Sequence, residues 1–190
     1  MTRIIAGVAR GRRLSVPPGT GTRPTSDRAR EGLFATITAL HGQLTQASVL
    51  DLYAGSGAVG LEALSRGAGR ALFVESDPAA IRVIRANMTA VGLPGGRLIA
   101  ATVATALRRG PGDEPPFDVV VADPPYATGD DEVSAMLLGL LQGGWLAPGA
   151  LLAVERASRS GPVPWPPGYS SDRSRRYGEA TFWYGLAAGA

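Results

Sequence analysis

The sequence predicts an α/β protein: a mostly parallel sheet with helices on both faces, an antiparallel edge, and a β-hairpin in front. Three observations predict it. From residue 48 onward, short β-branched runs alternate with segments of helical periodicity. A glycine-rich turn carrying Gly55, Gly57 and Gly60 stands between the first of those runs and a helix. The tail breaks the rhythm, with strand-like stretches either side of Gly178-Glu179.

The opening "TRIIAGVARGRRLSVP" has two short apolar runs around Gly7 and Gly11 and reads as a hairpin. The prolines of "PPGTGTRP" close it, so residues 1–22 form an N-terminal extension and residues 23–190 the main domain. Thr25, Ser26 and Asp27 are cap-type residues before Leu33, Phe34, Ile37 and Leu40, which predicts a helix ending at Gly42. His41, the only histidine, suits the negative end of that helix. The alternation then runs "SVLDLY" strand, "GLEALSRG" helix, "ALFVE" strand and "PAAIRVIRANMTAVG" helix. "RLIAA" (strand), "VATALRRG" (helix), "FDVVVAD" (strand), "DDEVSAMLLGLLQGG" (helix) and "GALLAVE" (strand) follow. Asp130, Asp131 and Glu132 fit the positive N-terminus of their helix. "YSSDRSRRYG" and "ATFWYGLA" pair as a terminal hairpin; Trp145 and Trp183 belong to the core and Trp165 to an edge.

With 190 residues, 45% of them hydrophobic, the chain can bury a real core. It has no cysteine, which excludes disulfides and thiolate metal sites, and with one histidine a catalytic zinc is not expected. No long apolar run appears, and the N-terminus does not read as a signal peptide, so a soluble cytoplasmic protein is expected. All 19 basic residues are arginine. Seven of them, Arg3, Arg10, Arg12, Arg13, Arg23, Arg28 and Arg30, fall in the first thirty positions, opposed only by Asp27. Such clustering points to a phosphate backbone as partner.

The glycine turn fits a dinucleotide site, with Glu75 twenty positions after Gly55 to take ribose hydroxyls. Alone it does not separate NAD from another adenosine cofactor. Asp51 tilts the balance, because a carboxylate at that strand end repels a pyrophosphate and suits the cationic methionine part of S-adenosylmethionine. No acid follows the third parallel strand, so backbone amides near Thr102 and Val103 are expected to meet the adenine. Asn87, inside the following helix, reads as structural.

Asp123-Pro124-Pro125-Tyr126 follows the fourth parallel strand, at the carboxyl edge where such sheets bind ligands. It suits methyl transfer to an exocyclic amine on a planar base. The amine's lone pair is delocalised, and two acceptors for its N–H groups, the Asp123 carboxylate and the Pro124 carbonyl, help it rehybridise. Pro124 and Pro125 stiffen the loop. Tyr126 offers a stacking face, worth about 1–3 kcal/mol per base.

The order "DLYAGSGAVGLEALSRGA", "FVESD", "ADPPY" resembles the Rossmann-like class I S-adenosylmethionine-dependent methyltransferases that act on amino nitrogens. "RIIAGVARGRRL", "RPTSDRAREGLF" and "RRYGEATFWYGL" narrow the resemblance to the RsmD family of small-subunit (16S) rRNA guanine-N2 methyltransferases. The resemblance implies a seven-stranded sheet, a hairpin that grips rRNA, and a target guanine held by Asp123 to Tyr126. It also implies a cofactor set of Asp51, Gly55, Gly57 and Glu75 with the flanking Tyr53, Ala54, Ser56 and Ser76. The partner it implies is ribosomal RNA, naked or in a small-subunit assembly particle, with the enzyme a monomer. Three other readings stay open at this point. They are an amine methyltransferase acting on adenine or cytosine of DNA or another RNA, an NAD-linked oxidoreductase, and an RNA-binding module that keeps the fold without catalysis.

Overall fold

A computed structural model describes residues 2–18 and 26–189. Seven strands form one sheet in the order β5-β4-β3-β6-β7-β9-β8. They are β3 (Ser48–Leu52), β4 (Arg70–Glu75), β5 (Gly96–Ala100), β6 (Phe117–Ala122), β7 (Leu146–Ala157), β8 (Tyr169–Tyr177) and β9 (Ala180–Ala187). β3 to β7 run parallel. β9 runs against both β7 and β8, forming the antiparallel edge that the tail predicts. β3 pairs with β4 on one side and β6 on the other, so the chain order reverses at β3. That reversal opens a crevice at the carboxyl ends of β3 and β6.

The helices start where local chemistry allows. In α1 (Asp27–His41), Ser26 Oγ accepts from Ala29 N–H at 3.1 Å, satisfying an otherwise orphaned donor. α3 (Pro78–Val91) begins on Asp77, whose side chain accepts from Ala80 N–H, with Pro78 in the first turn. α4 (Val103–Arg109) is capped by Thr102, and α5 (Asp130–Gln142) carries three acids in its first turn. α2 (Ala58–Ser65) follows the glycine turn. The core divides across the sheet. Leu33, Phe34, Leu61 and Ile84 pack with Val119, Val121 and Ala153 on one face. Val103, Met136 and Leu137 pack with Leu50, Val120 and Leu152 on the other. Trp145 is buried in the second cluster, Trp183 packs on its margin, and Trp165 covers Gly185.

The N-terminal segment forms the expected hairpin. β1 (Thr2–Arg3) and β2 (Arg13–Leu14) pair antiparallel, Ile4 N–H continues the ladder to the Arg12 carbonyl, and the turn between them docks on α2. The carboxylate of Glu62, on α2 and 0% exposed, accepts from Ile5 N–H (2.7 Å) and Ala6 N–H (3.0 Å). Val8 and Ala9 N–H reach Ser65. Gly7 has φ +80°, and a Cβ there would sit 1.7 Å from the Ser65 carbonyl oxygen, so only glycine permits the approach. Ile4, Ala9 and Leu14 join the core beside α2. The boundary expected at residues 22/23 lies outside the described residues.

Arg30 differs from expectation. It is 1% exposed and is not part of an open basic surface. Its guanidinium donates to the Thr2 hydroxyl, the Arg3 carbonyl and Asp27, and its Nε stands 3.8 Å from Glu62. A buried arginine persists because these partners surround it.

Candidate active site

A cavity of about 550 Å³ opens over the carboxyl ends of β3, β4 and β6. Its first wall is the turn after β3. Tyr53 has φ 59°, uncommon for a residue with a side chain, and Gly55 follows at φ 56°. Such backbone is held only where surroundings enforce it. Here Ala54 N–H donates to the Val74 carbonyl, and Gly55 N–H donates to Glu75 Oε2 at 2.8 Å. Glu75 Oε1 accepts from the Ser76 and Asp77 N–H groups. One carboxylate thereby fastens two loops and still faces the cavity. Gly60 sits against the Phe73 ring, 2.3 Å from where its Cβ would be, which brings α2 close to the sheet.

Asp51 is 3% exposed and lines the same cavity. Its Oδ2 accepts from Gly60 N–H at 2.9 Å, so it caps the turn and also faces the ligand space. Burial pushes its carboxyl up to about 8, and the fields of Asp123 and Glu75 add to that, against the Gly60 bond. Across the cavity stands the loop after β6. Burial pushes the Asp123 carboxyl up to about 6. Thr128 N–H donates to the Pro125 carbonyl at 2.8 Å, closing the turn beyond the two prolines. Tyr126 is 45% exposed at the mouth. Burial raises its phenol, Glu155, Asp123 and Glu179 add to this, and Arg159 opposes it. Thr102 and Val103 line the floor at the start of α4.

Most of the expected residues therefore meet in one place: Asp51, Tyr53, Ala54, Gly55, Ser56, Glu75, Ser76, Thr102, Val103, and Asp123 to Tyr126. Gly57 does not line the cavity. It starts α2 at φ +75°, packed near Phe73 and Ile84, so its role is in the turn. Asn87 is structural: its amide donates to the Ser15 and Ser56 carbonyls and accepts from Ser15 N–H. The sequence reading omitted Val16, Pro17, Glu132, Glu155 and Phe182, which also line the cavity. Glu132 is thus more than a helix-terminus charge. Glu155 had one signal, a lone acid in the apolar run "ALLAVE".

The lining carries six carboxylates, Asp51, Glu75, Asp77, Asp123, Glu132 and Glu155, against Arg30 as the one cationic side chain among the described residues. In a partly dehydrated cavity this repels a pyrophosphate and attracts a cation. Such a lining suits a sulfonium with a nearby amino group better than it suits a pyrophosphate. No group of His, Cys, Asp and Glu among the described residues is arranged to hold a metal. No described helix is long and apolar enough to cross a membrane.

The arginines are more scattered than clustering suggested. Arg3, Arg10, Arg13 and Arg28 are exposed. Arg12 is exposed too, but its guanidinium donates to the Ala90 and Val91 carbonyls at the end of α3. Arg23 lies outside the described residues. A second cleft of about 430 Å³ shares Tyr126 with the first and contains Arg159 and Arg176.

The family model described as "Conserved hypothetical protein 95" matches residues 2–185. Ribosomal RNA small subunit methyltransferase D of Escherichia coli K12 is 36% identical over 95% of this chain and 87% of its own length. The chain belongs to the RsmD family. The RsmD relative from Haemophilus influenzae is 37% identical over 80% of this chain and 77% of its own. The solved structure of yhhF from Escherichia coli superposes on this RsmD chain with a TM-score of 0.82 at 31% identity, covering 99% and 98% of the two chains.

Proposed function

We propose that this RsmD-family chain transfers a methyl group from S-adenosylmethionine to the exocyclic N2 of a guanine in small-subunit ribosomal RNA. One observation carries the reading: the Asp123–Tyr126 loop faces, across a single cavity, an acid-lined glycine turn suited to a cation. S-adenosylmethionine supplies an electrophilic methyl on a positive sulfur. Asp51 and its neighbouring acids favour that charge, Glu75 faces the ribose, and the start of α4 meets the adenine. The target base must leave its stack to reach the site. Asp123 and the Pro124 carbonyl accept the amine's two N–H groups and orient its lone pair. Tyr126 stacks on the ring. As the new C–N bond forms, the methyl–sulfur bond breaks, S-adenosylhomocysteine leaves as the neutral thioether, and the amine sheds a proton, which Asp123 is placed to accept. Positioning and charge supply most of the rate.

The RNA strand crosses the mouth between the exposed arginines Arg3, Arg10, Arg13 and Arg28 and the Arg159–Arg176 cleft beyond Tyr126. RNA either free or within an assembling small subunit suits this path. In this reading the protein works as a monomer, and the substrate makes the cytoplasm its place of work. Asp123→Ala tests the reading in a tritiated-methyl assay with ribosomal RNA. Transfer is expected to vanish while S-adenosylhomocysteine still binds; full activity would reject the assignment. Nucleoside mass spectrometry after incubation with RNA or DNA identifies the modified base.

A further inference from the structure

We infer that Glu155 makes the site specific for guanine, by accepting the ring N1–H that lies beside the amine being methylated. This rests on the reading above that the nucleophile is a nucleobase amine.

Strand register puts Glu155 there. β6 and β7 are parallel, with Ala122 opposite Val154. Asp123, the first residue past the end of β6, and Glu155, on β7, each follow that pair, which sets them side by side where neighbouring strands lie about 5 Å apart. Both point to the same face, because Val121 and Ala153, two positions earlier, share one core cluster. Arg156, the following residue, points the other way and pairs with Asp130 at 2.9 Å. On the other flank Glu155 is opposite Phe182 of β9, which also lines the cavity. Glu155 is 4% exposed, and after burial it is the next cause that raises the Tyr126 phenol. A base stacked on Tyr126 with its amine at Asp123 thus presents its adjoining edge to Glu155.

The edges of the bases differ there. Beside its amine guanine has a donor, N1–H. Adenine beside N6 and cytosine beside N4 have only ring-nitrogen acceptors, whose lone pairs a carboxylate repels. One acid next to the amine clamp therefore attracts one base and rejects two. Sites built to hydrogen-bond a substrate N–H can reject analogues lacking it by about 10⁴-fold.

The test uses RNA carrying guanine, or 2,6-diaminopurine, at the modified position. The analogue keeps the 2-amino group but has an unprotonated N1. Wild-type protein is expected to favour guanine by at least about 10²-fold in kcat/KM, a lower bound on such discrimination. Glu155→Gln, whose amide can turn to donate to N1, is expected to shrink that ratio at least about tenfold while S-adenosylhomocysteine affinity stays unchanged. Equal wild-type rates on both RNAs overturn the inference without any variant, as does an unchanged ratio in Glu155→Gln. If Glu155→Gln loses S-adenosylhomocysteine binding, the wild-type comparison of the two RNAs decides. Methylation at guanine N2 without discrimination removes only the role of Glu155; no transfer to either RNA removes the methyltransferase reading with it.

Discussion

At Asp51 the protein holds a carboxyl that burial keeps protonated up to about 8, in a cavity built for a cation. Its folded value lies above the ordinary 3.8, so the stability it lends is full below pH 3.8 and is lost as pH rises through about 8. The cofactor-free protein should therefore lose thermal stability between those limits, and Asp51→Asn should flatten the loss. A bound cation favours the ionised form, so cofactor binding at pH 7 should release a proton. Titration calorimetry checks this: the heat should depend on the buffer's ionisation enthalpy in wild type and not in Asp51→Asn. Asp123 must be ionised to accept the amine's hydrogens. Hence kcat/KM for RNA should rise with pH through about 6 and then level, and a profile flat from pH 5 to 8 would contradict its role. Asp51, Glu75 and Asp123 were legible in the sequence because each ends a recognisable strand beside a turn motif. Arg30 was not, since what buries it is Glu62, far away along the chain. Glu155 was not either, because its meaning depends on which strand lies next to β7.

α2 ties the cofactor turn to the N-terminal segment. One end follows Gly57; further along, Glu62 holds Ile5, Ala6, Arg30 and Arg66, and Ser65 holds Val8 and Ala9. Glu62→Gln leaves Arg30 with Asp27 as its one carboxylate and takes an acceptor from Ile5 or Ala6 N–H, and should cost about 1–3 kcal/mol, the usual penalty for a buried donor left unmet. Chemical denaturation measures the loss. Hydrogen exchange should show residues 2–14 losing protection before the sheet does. The strands and helices from residue 48 onward were legible because their periodicities are clean. The hairpin was legible from its apolar runs and glycines; its docking on α2, where Ile5, Ala6, Val8 and Ala9 N–H find their acceptors, was not, because local sequence does not announce that partner.

For the molecule as a whole, a ligand bound only by the folded state adds its binding energy to stability. At 100 times its dissociation constant, S-adenosylhomocysteine should add about 2.7 kcal/mol. For a chain of this size that raises Tm by about 5–10 °C. NAD should leave Tm unchanged, and a shift with NAD instead would restore the oxidoreductase reading. The parallel sheet and its switch point were foreseeable from alternation alone. The interior position of β9 was not, since nothing in its residues says it lies inboard of β8. That placement has a consequence for how the protein matures. Phe182, the residue facing Glu155, arrives when the β8–β9 hairpin packs against β7. An intermediate with β3 to β7 assembled would own a cofactor turn but lack one side of its substrate chamber. Copies lacking that hairpin against β7 would therefore be inert toward RNA.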